Sequence, residues 1–130
     1  MINVEIITPN GPYKTLETPT LTIGTIDGER GLLEHHMPIV LMLEISKLVT
    51  IENDVKNYYA ISGGMLYFEN GKAKILVDSI EHKDEIDVDR AQKAKIRAEN
   101  HLNSQDSQTD IKRAELALKR SMNRLRVASI

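Results

Sequence analysis

The stretch Ile86-Asp87-Val88-Asp89-Arg90-Ala91 marks the point at which the hydrophobic pattern of this chain changes. Before it, apolar residues alternate with polar ones and turn residues are frequent, which is typical of β-strands. After it, apolar residues recur at steps of three and four, which is typical of amphipathic helices. The change predicts two domains, a β domain over residues 1–85 and a helical domain over residues 86–130.

The helical domain is predicted to be an antiparallel two-helix hairpin with alanine-rich faces. The short polar linker 103–108 makes the two helices neighbours. The residues expected to share a face are Ala91, Ala94, Ala98 and Leu102 in the first helix, and Ile111, Ala114, Leu118, Ser121 and Leu125 in the second. Asp87 or Asp89 is expected to cap the first helix, and Thr109 or Asp110 the second. Because alanine buries little apolar area, we expect the hairpin to be weakly held and to dock and undock.

Residues 1–85 predict an antiparallel β-sandwich or barrel. Short apolar runs are separated by turn signals at intervals of roughly 8–12 residues, and no helical pattern intervenes. The clearest signal is Asn70-Gly71 between two strand-like runs, which predicts a two-residue type I′ hairpin turn. Gly63-Gly64 is expected to break or bulge a strand. Residues 31–38 are expected to form a loop, and 39–43 and 47–51 are two separate apolar runs.

Charge is divided unevenly along the chain. Residues 1–86 contain 7 Lys/Arg and 13 Asp/Glu, a net charge of −6, whereas residues 87–130 contain 10 and 6, a net charge of +4. A basic arm suggests an anionic partner, although a solvated helix face rich in Lys and Arg explains the same imbalance. The apolar runs are shorter than the roughly 18–20 residues of a membrane span, and we expect no signal peptide and no direct membrane insertion.

Motifs for catalysis and for metal binding are absent from the sequence. Cysteine is missing, which excludes disulfides, thiolate metal sites and Cys nucleophiles. His35-His36 has no evident third ligand, so we expect no metal site. The acidic cluster 81–89 is interpreted as a solvated linker with a helix cap rather than as hydrolase carboxylates. A small hydrolase is therefore disfavoured, and no catalytic residue is predicted.

Four segments, taken in order along the chain, carry a resemblance to a known family. They are Val4-Glu5-Ile6-Ile7-Thr8-Pro9-Asn10-Gly11, Ile61-Ser62-Gly63-Gly64-Met65-Leu66, Ile86-Asp87-Val88-Asp89-Arg90-Ala91 and Lys112-Arg113-Ala114-Glu115-Leu116-Ala117-Leu118-Lys119-Arg120-Ser121-Met122-Asn123-Arg124-Leu125. Together they resemble the epsilon subunit of bacterial F-type ATP synthase. One loop departs from the family pattern Leu-Pro-Gly-His-x-Pro, because it has Leu33-Glu34-His35-His36-Met37-Pro38 instead.

The resemblance implies a non-catalytic subunit of the central stalk, or rotor. Its sandwich would join the gamma subunit to the c-ring and so couple proton translocation to ATP synthesis. Its helices would fold against the sandwich or extend along gamma to the alpha and beta subunits, where they inhibit ATP hydrolysis. The implied location is peripheral, as part of F1 at the cytoplasmic face of the bacterial plasma membrane. Nucleic acid is not an expected partner, and no cofactor is required.

In some members of this family the folded hairpin binds ATP as a regulatory ligand. The resemblance assigns that role to the motif residues Ile86, Asp87, Arg90 and Ala91, and to Glu81, Arg97, Arg120 and Arg124. A helix cap at Asp87, an i,i+3 pair with Arg90 and a solvated arginine face explain the same residues, so both interpretations stay open. The alternative function is a free-standing nucleotide-binding module with a β body.

Overall fold

The protein consists of an eight-stranded sheet followed by two helices. The computed structural model describes residues 1–104 and 108–130. Its strands are β1 (Ile2–Thr8), β2 (Gly11–Thr18), β3 (Thr20–Thr25), β4 (Gly28–Leu33), β5 (Ile39–Glu52), β6 (Val55–Glu69), β7 (Lys72–Val77) and β8 (Ile80–His82). A 3₁₀ turn (Lys83–Glu85) precedes the helices α1 (Val88–Ser104) and α2 (Gln108–Ala128). The chain divides into a β unit, Met1–His82, and a helical unit, Lys83–Ile130.

The strands follow the spatial order β2-β1-β7-β6-β5-β3-β4, and β8 pairs with β6. Within the described residues every strand pair is antiparallel except β1 with β7, which run parallel from Asn3–Lys72 to Ile7–Leu76. A parallel pair needs a long connection, which β2 to β6 supply. The predicted β-sandwich or barrel followed by a helical hairpin is confirmed, with this parallel pair as the one exception.

In β1, β3 and β7, core-facing and outward-facing side chains alternate, so that one face of each strand lies in the core. Ile2, Val4 and Ile6 of β1 are buried, while the residues between them are exposed. Closure of the sheet is assisted by Thr18, whose hydroxyl donates to the Thr20 carbonyl at 2.6 Å and accepts from the Ile51 amide at 2.9 Å. This buried side chain therefore links the end of β2 to the end of β5.

Three turn and strand predictions have different outcomes. The type I′ turn is confirmed, because Asn70 and Gly71 both have positive φ, 49° and 73°. The loop predicted over residues 31–38 is wrong in its first part, since β4 continues to Leu33 with Leu32 buried opposite Leu21. The two apolar runs at 39–43 and 47–51 form one strand, because β6 pairs with both of them.

Gly63 and Gly64 interrupt the ladder without ending the strand. Pairing passes from Leu43–Gly64 to Ile45–Ser62, and β6 continues on both sides. Gly64 has φ of 139°, and a β-carbon built there would overlap the carbonyl oxygen of Leu76. Only glycine allows β7 to lie this close to β6 at that point.

A polar cluster of Lys14, Thr50, Glu52 and Tyr59 lies between β2, β5 and β6. Glu52 accepts hydrogen bonds from Tyr59 at 2.7 Å and Thr50 at 2.6 Å, and it pairs with Lys14 at 2.8 Å. Lys14 also donates to the Tyr59 hydroxyl at 3.0 Å. Burial acts to raise the pKa of Glu52, but the hydrogen bonds from Lys14, Thr50 and Tyr59 together lower it below the usual 4.5. The bond to Glu52 in turn raises the pKa of Lys14.

Replacing Glu52 with glutamine is expected to cost about 1–3 kcal/mol of unfolding free energy at pH 7, because partly buried hydrogen bonds lose their charged acceptor and Lys14 loses its ion-pair partner. A lowered pKa means that Glu52 stabilises the fold above pH 4.5 and that this contribution is lost as pH falls through the folded-state pKa. Urea unfolding at pH 7 and about pH 3 should therefore show a smaller gap between the wild type and Glu52→Gln at low pH. Glu44→Gln, an exposed site on β5, is the matched control; an equal gap at both pH values would contradict the prediction.

The helices of the helical unit present the predicted faces. Ala91, Ala98, Ala114 and Ser121 are buried, and Ala94, Leu102, Ile111, Leu118 and Leu125 are half-buried. Asn123 and Val127 are buried as well, which the sequence analysis missed. The linker predicted over residues 103–108 is wrong at both ends, because α1 continues to Ser104 and α2 includes Gln108; residues 105–107 lie outside the described part. Thr109 and Asp110 lie within α2, so the predicted cap of the second helix is wrong as well. No helix of the described residues is long and apolar enough to cross a membrane.

Candidate functional site

Asp87 caps the N-terminus of α1. The Arg90 amide donates to Asp87 Oδ1 at 3.1 Å, and the Ala91 amide donates to the Asp87 carbonyl at 3.0 Å. Asp87 is therefore the cap, as one of the two predicted candidates. A carboxylate at this position also complements the positive end of the helix dipole. Its second oxygen, Oδ2, is not part of the capping bond.

The other residues of the 86–91 motif differ in how far their side chains are buried. Ile86 and Ala91 are buried, with 8% and 2% of their surface exposed, so their apolar character has a packing explanation. The Arg90 side chain is exposed. The motif therefore places the guanidinium of Arg90 and the carboxylates of Asp87 and Asp89 at the surface where α1 begins.

Arg120 and Arg124 lie one helical turn apart on α2, and both are half-buried. The Nε atom of Arg120 is buried and has no hydrogen-bond partner among the described residues. A buried donor without a partner costs about 1–3 kcal/mol, and more in a charged group. The Nε atom of Arg120 would therefore be stabilised by an additional hydrogen-bond acceptor.

Arg97 lies about 10 Å along α1 from Arg90, since it follows seven residues later. It lines a groove of about 390 Å³ between α1 and α2. The residues that line this groove are Ala94, Arg97, Ala98 and His101 from α1 and Asp110, Arg113, Ala114 and Ala117 from α2. We refer to it as the inter-helix groove. Asp87, Arg90, Arg120 and Arg124 are not among the residues that line it.

Glu81 belongs to the β unit, where it pairs with Ala60 at β8 and is half-buried. Neither His101 nor Asp110 was predicted to bind a ligand, and Asp110 was only a candidate helix cap. The i,i+4 spacing of Arg97 and His101 was the available signal, because residues four apart lie on one face of a helix. No group of three or more His, Cys, Asp or Glu suited to a metal ion occurs in the described ranges 1–104 and 108–130.

The β unit carries an exposed apolar surface that crosses four strands. Ile7 of β1 pairs with Leu76 of β7, Leu76 with Met65 of β6, and Met65 with Met42 of β5. Paired residues on adjacent strands point to the same face of a sheet. Ile7 and Met65 are half-buried, while Leu76 and Met42 are 36% and 50% exposed. We call Ile7, Leu76, Met65 and Met42 the outer apolar row.

The next row on the same face is mixed. Val40 pairs with Tyr67, and Tyr67 pairs with Lys74. Val40 and Tyr67 are 55% and 41% exposed. The Tyr67 hydroxyl donates to the Met65 sulfur at 3.6 Å, which ties the two rows together. Contiguous exposed apolar side chains of this kind are typical of surfaces that contact another protein.

Comparison with known proteins accounts for both units. A family model described as ATP synthase, Delta/Epsilon chain, beta-sandwich domain matches residues 1–83, and one described as ATP synthase, Delta/Epsilon chain, long alpha-helix domain matches residues 84–129. The ATP synthase epsilon chain of Bacillus pumilus is 39% identical over 127 residues, covering 98% of this chain and 96% of the relative. The epsilon chain of Staphylococcus aureus strain JH9 is 41% identical over 130 residues, covering 99% and 97%.

The chain belongs to the ATP synthase epsilon-chain family. A solved relative of this epsilon chain is a chain of the Euglena gracilis mitochondrial ATP synthase, in the cryo-EM structure of OSCP, F1 and the c-ring in rotational state 1. It is 26% identical with a TM-score of 0.84, and the match covers 99% of this epsilon chain and 81% of the Euglena chain. The resemblance found in the sequence is confirmed.

Proposed function

We propose that this epsilon chain is a non-catalytic rotor subunit that attaches to gamma and the c-ring through its β unit. It would thereby couple proton translocation to ATP synthesis, at the cytoplasmic face of the bacterial plasma membrane. The main support for the proposal is the outer apolar row, which is exposed in the isolated chain. The second support is that the chain belongs to a family of ATP synthase subunits. The complex that contains the Euglena relative includes F1 and the c-ring, which supports the same partners.

The outer apolar row has the chemistry of a permanent subunit interface. Full burial of a side chain such as Leu or Met is worth about 1.5–3 kcal/mol relative to exposure. Tyr67 adds an aromatic ring with a polar end, a residue type that is enriched at protein interfaces. The adjacent cross-strand pair Glu5 and Lys74 would supply a charged rim. Burial of this face against gamma would remove the exposed apolar area from water.

The double variant Met42→Lys/Leu76→Lys is expected to weaken association with gamma by at least about 30-fold, because two buried apolar contacts become buried charges. The measurement is co-purification and titration with gamma after co-expression. Val55→Lys is the matched control, since Val55 is 60% exposed but lies at the β5–β6 turn outside the row. Unchanged gamma binding by a folded double variant would refute attachment through this face.

The helical unit is proposed to gate ATP hydrolysis. Its fully buried positions are mostly small side chains and its leucines are only half-buried, so the folded hairpin is held by little apolar area and the cost of opening it is low. When extended along gamma, its basic surface would meet the alpha and beta subunits and inhibit hydrolysis. Deletion of residues 87–130 should raise the ATP hydrolysis rate of the assembled enzyme. An unchanged rate would contradict gating.

ATP is proposed to stabilise the folded hairpin, with Asp87, Arg90 and Arg120 as its principal contacts. Ile86, Ala91, Glu81, Arg97 and Arg124 are the remaining candidates. The buried Arg120 Nε supports this reading, because a phosphate oxygen would provide the acceptor it lacks among the described residues. A ligand that binds only the folded state stabilises it by RT ln(1 + [L]/Kd).

Titration of ATP against the protein, followed by the Asp87 and Arg90 amide signals in NMR spectra, tests this proposal. Saturable shifts are expected, and Arg120→Gln should weaken ATP binding by about tenfold or more. Arg126→Gln removes an exposed charge from the same helix and should leave the affinity nearly unchanged. If about millimolar ATP produces no shifts, ATP sensing by this chain is refuted.

A further inference from the structure

We propose that Met42 is a site of reversible oxidation, and that its sulfoxide prevents this chain from attaching to gamma. The modification converts the thioether of Met42 to a sulfoxide, and the oxidant is a hydroperoxide. The proposal rests on the attachment to gamma through the outer apolar row that is proposed above. It concerns the chain before assembly, when Met42 is 50% exposed.

The methionines of this chain lie at its surface rather than in its interior. All five are among the described residues, and none belongs to the hydrophobic core, which consists mainly of Ile, Leu and Val. Two of them, Met42 and Met65, are paired across β5 and β6 in the outer apolar row. A dissolved oxidant can reach an exposed thioether, whereas the leucine and isoleucine of the same row have no sulfur to oxidise.

The reaction needs only the hydroperoxide, for which hydrogen peroxide is the simplest example. The Met42 sulfur donates an electron pair to one peroxide oxygen, the O–O bond breaks and a sulfur–oxygen bond forms. The hydrogen of the transferred oxygen passes to the second oxygen, which leaves as water. The sulfur is oxidised by two electrons and the peroxide is reduced by two. The product is polar, and methionine sulfoxide reductases reverse the change.

The two methionines of the row have different surroundings. The Tyr67 hydroxyl donates to the Met65 sulfur at 3.6 Å, so an oxygen added to Met65 has a donor on the same chain. Val40 and Glu44 flank Met42 on the same face of β5, and neither an isopropyl group nor a carboxylate offers a donor. A sulfoxide at Met42 therefore depends on water for its hydrogen bonds.

Contact with gamma would remove that water from the Met42 sulfoxide. A polar group that is buried without a hydrogen-bond partner opposes association. The reduced thioether is instead apolar and flexible, and it adapts readily to an apolar partner surface. Oxidation of Met42 is therefore expected to weaken the binding of gamma by about tenfold. An oxidised chain would be held out of the assembly until it is reduced.

Treatment of the isolated chain with hydrogen peroxide, followed by removal of the peroxide and titration with untreated gamma, tests the proposal. Peptide mass spectrometry gives the sulfoxide fraction at each methionine, and NMR signals of β5 and β6 show that the sheet is intact. Met42 should be oxidised before Met65, which is half-buried. The affinity for gamma should fall as the Met42 sulfoxide accumulates. Incubation with methionine sulfoxide reductases and a thiol reductant should restore it.

Two leucine variants separate Met42 from the other methionines, because exchange of methionine for leucine nearly conserves side-chain volume. Peroxide-treated Met42→Leu should bind gamma as tightly as the untreated variant. Met37→Leu is the matched control, since Met37 is 71% exposed but lies between β4 and β5 outside the row. This control should lose affinity on oxidation as the wild type does. An equal loss in oxidised Met42→Leu would overturn the role of Met42.

The outcome also distinguishes this proposal from the attachment on which it rests. If Met42→Lys/Leu76→Lys loses gamma but fully oxidised wild type keeps it, attachment through the row stands and the oxidation site is overturned. If both retain gamma, attachment through the row is refuted and the consequence of oxidation falls with it. Loss of gamma in both, with recovery only in the reductase-treated wild type, is the result expected.

Discussion

Replacing Gly64 with alanine is expected to destabilise the β unit by more than about 4 kcal/mol, which is among the largest effects of single substitutions. The new β-carbon would overlap the Leu76 carbonyl oxygen, and the backbone would be held at φ of 139°. Relief requires the end of β7 to move away from β6, but the Gly64–Val77 pair is followed directly by Met65–Leu76 and Leu66–Ile75 in the same ladder, which hold β7 in place. Since domains are stable by only about 5–15 kcal/mol, a large part of the folded population would be lost.

Gly63→Ala is the matched control for this substitution. Gly63 also has positive φ, 72°, but the nearest atom to an added β-carbon is the Leu43 carbonyl oxygen at an ordinary 3.7 Å. Gly63→Ala is therefore expected to lower the unfolding free energy only by the cost of holding a residue with a β-carbon at positive φ, about 1–2 kcal/mol. Urea unfolding monitored through β-unit NMR signals compares the two variants. Equal losses at the two glycines would show that close approach of β7 is unimportant.

Amide hydrogens of α1 and α2 are expected to exchange at least about a thousandfold faster than those at the centre of the sheet, a difference of about 4 kcal/mol in opening free energy. The core of the β unit contains fully buried large side chains, among them Tyr59, Phe68 and Leu21. Among the described side chains of the two helices, the buried ones are Ala91, Ala98, Ala114, Ser121, Asn123 and Val127, of which only Val127 has a larger apolar side chain. Helices of this length are marginal without tertiary support.

The decisive measurement is native-state hydrogen exchange resolved by residue, with β5 and β6 amides as the internal standard. If ATP stabilises the closed hairpin, its addition should slow exchange in α1 and α2 while leaving β5 and β6 unchanged. Protection of the helices equal to that of the sheet, without any ligand, would contradict a weakly held hairpin. It would also remove the physical basis for a regulatory role of the helical unit.

Local signals predicted those elements that depend on neighbours in sequence. The type I′ turn at Asn70-Gly71 follows from the conformational freedom of two residues, and the Asp87 cap from a single side chain beside a free amide. The β4 strand was missed because its residues are mostly exposed and only Leu32 marks the core side. Local sequence signals could not predict that β1 pairs with β7, because the two strands are far apart in the sequence.

The candidate sites were likewise predictable only where their residues are close together in the sequence. The Asp87 motif was visible because its residues are adjacent, whereas the inter-helix groove depends on the alignment of α1 against α2, which single-helix periodicity does not provide. The grouping of Arg97 with Asp87 followed from the resemblance and stays a prediction, and the structure adds that Arg97 lines a groove together with His101 and Arg113. The outer apolar row likewise exists only after four strands are placed in register.

The parallel pairing of β1 with β7 has a consequence for synthesis on the ribosome. As the chain emerges, β1 can form its hairpin with β2 at once, but its other edge has no partner until Lys72–Val77 has been made. Such high contact order delays folding. During this interval the apolar residues Ile2, Val4 and Ile6 have an incomplete core around them, and an unpaired strand edge promotes aggregation. Nascent chains that stop before β7 should therefore depend on chaperones, whereas chains that include it should not.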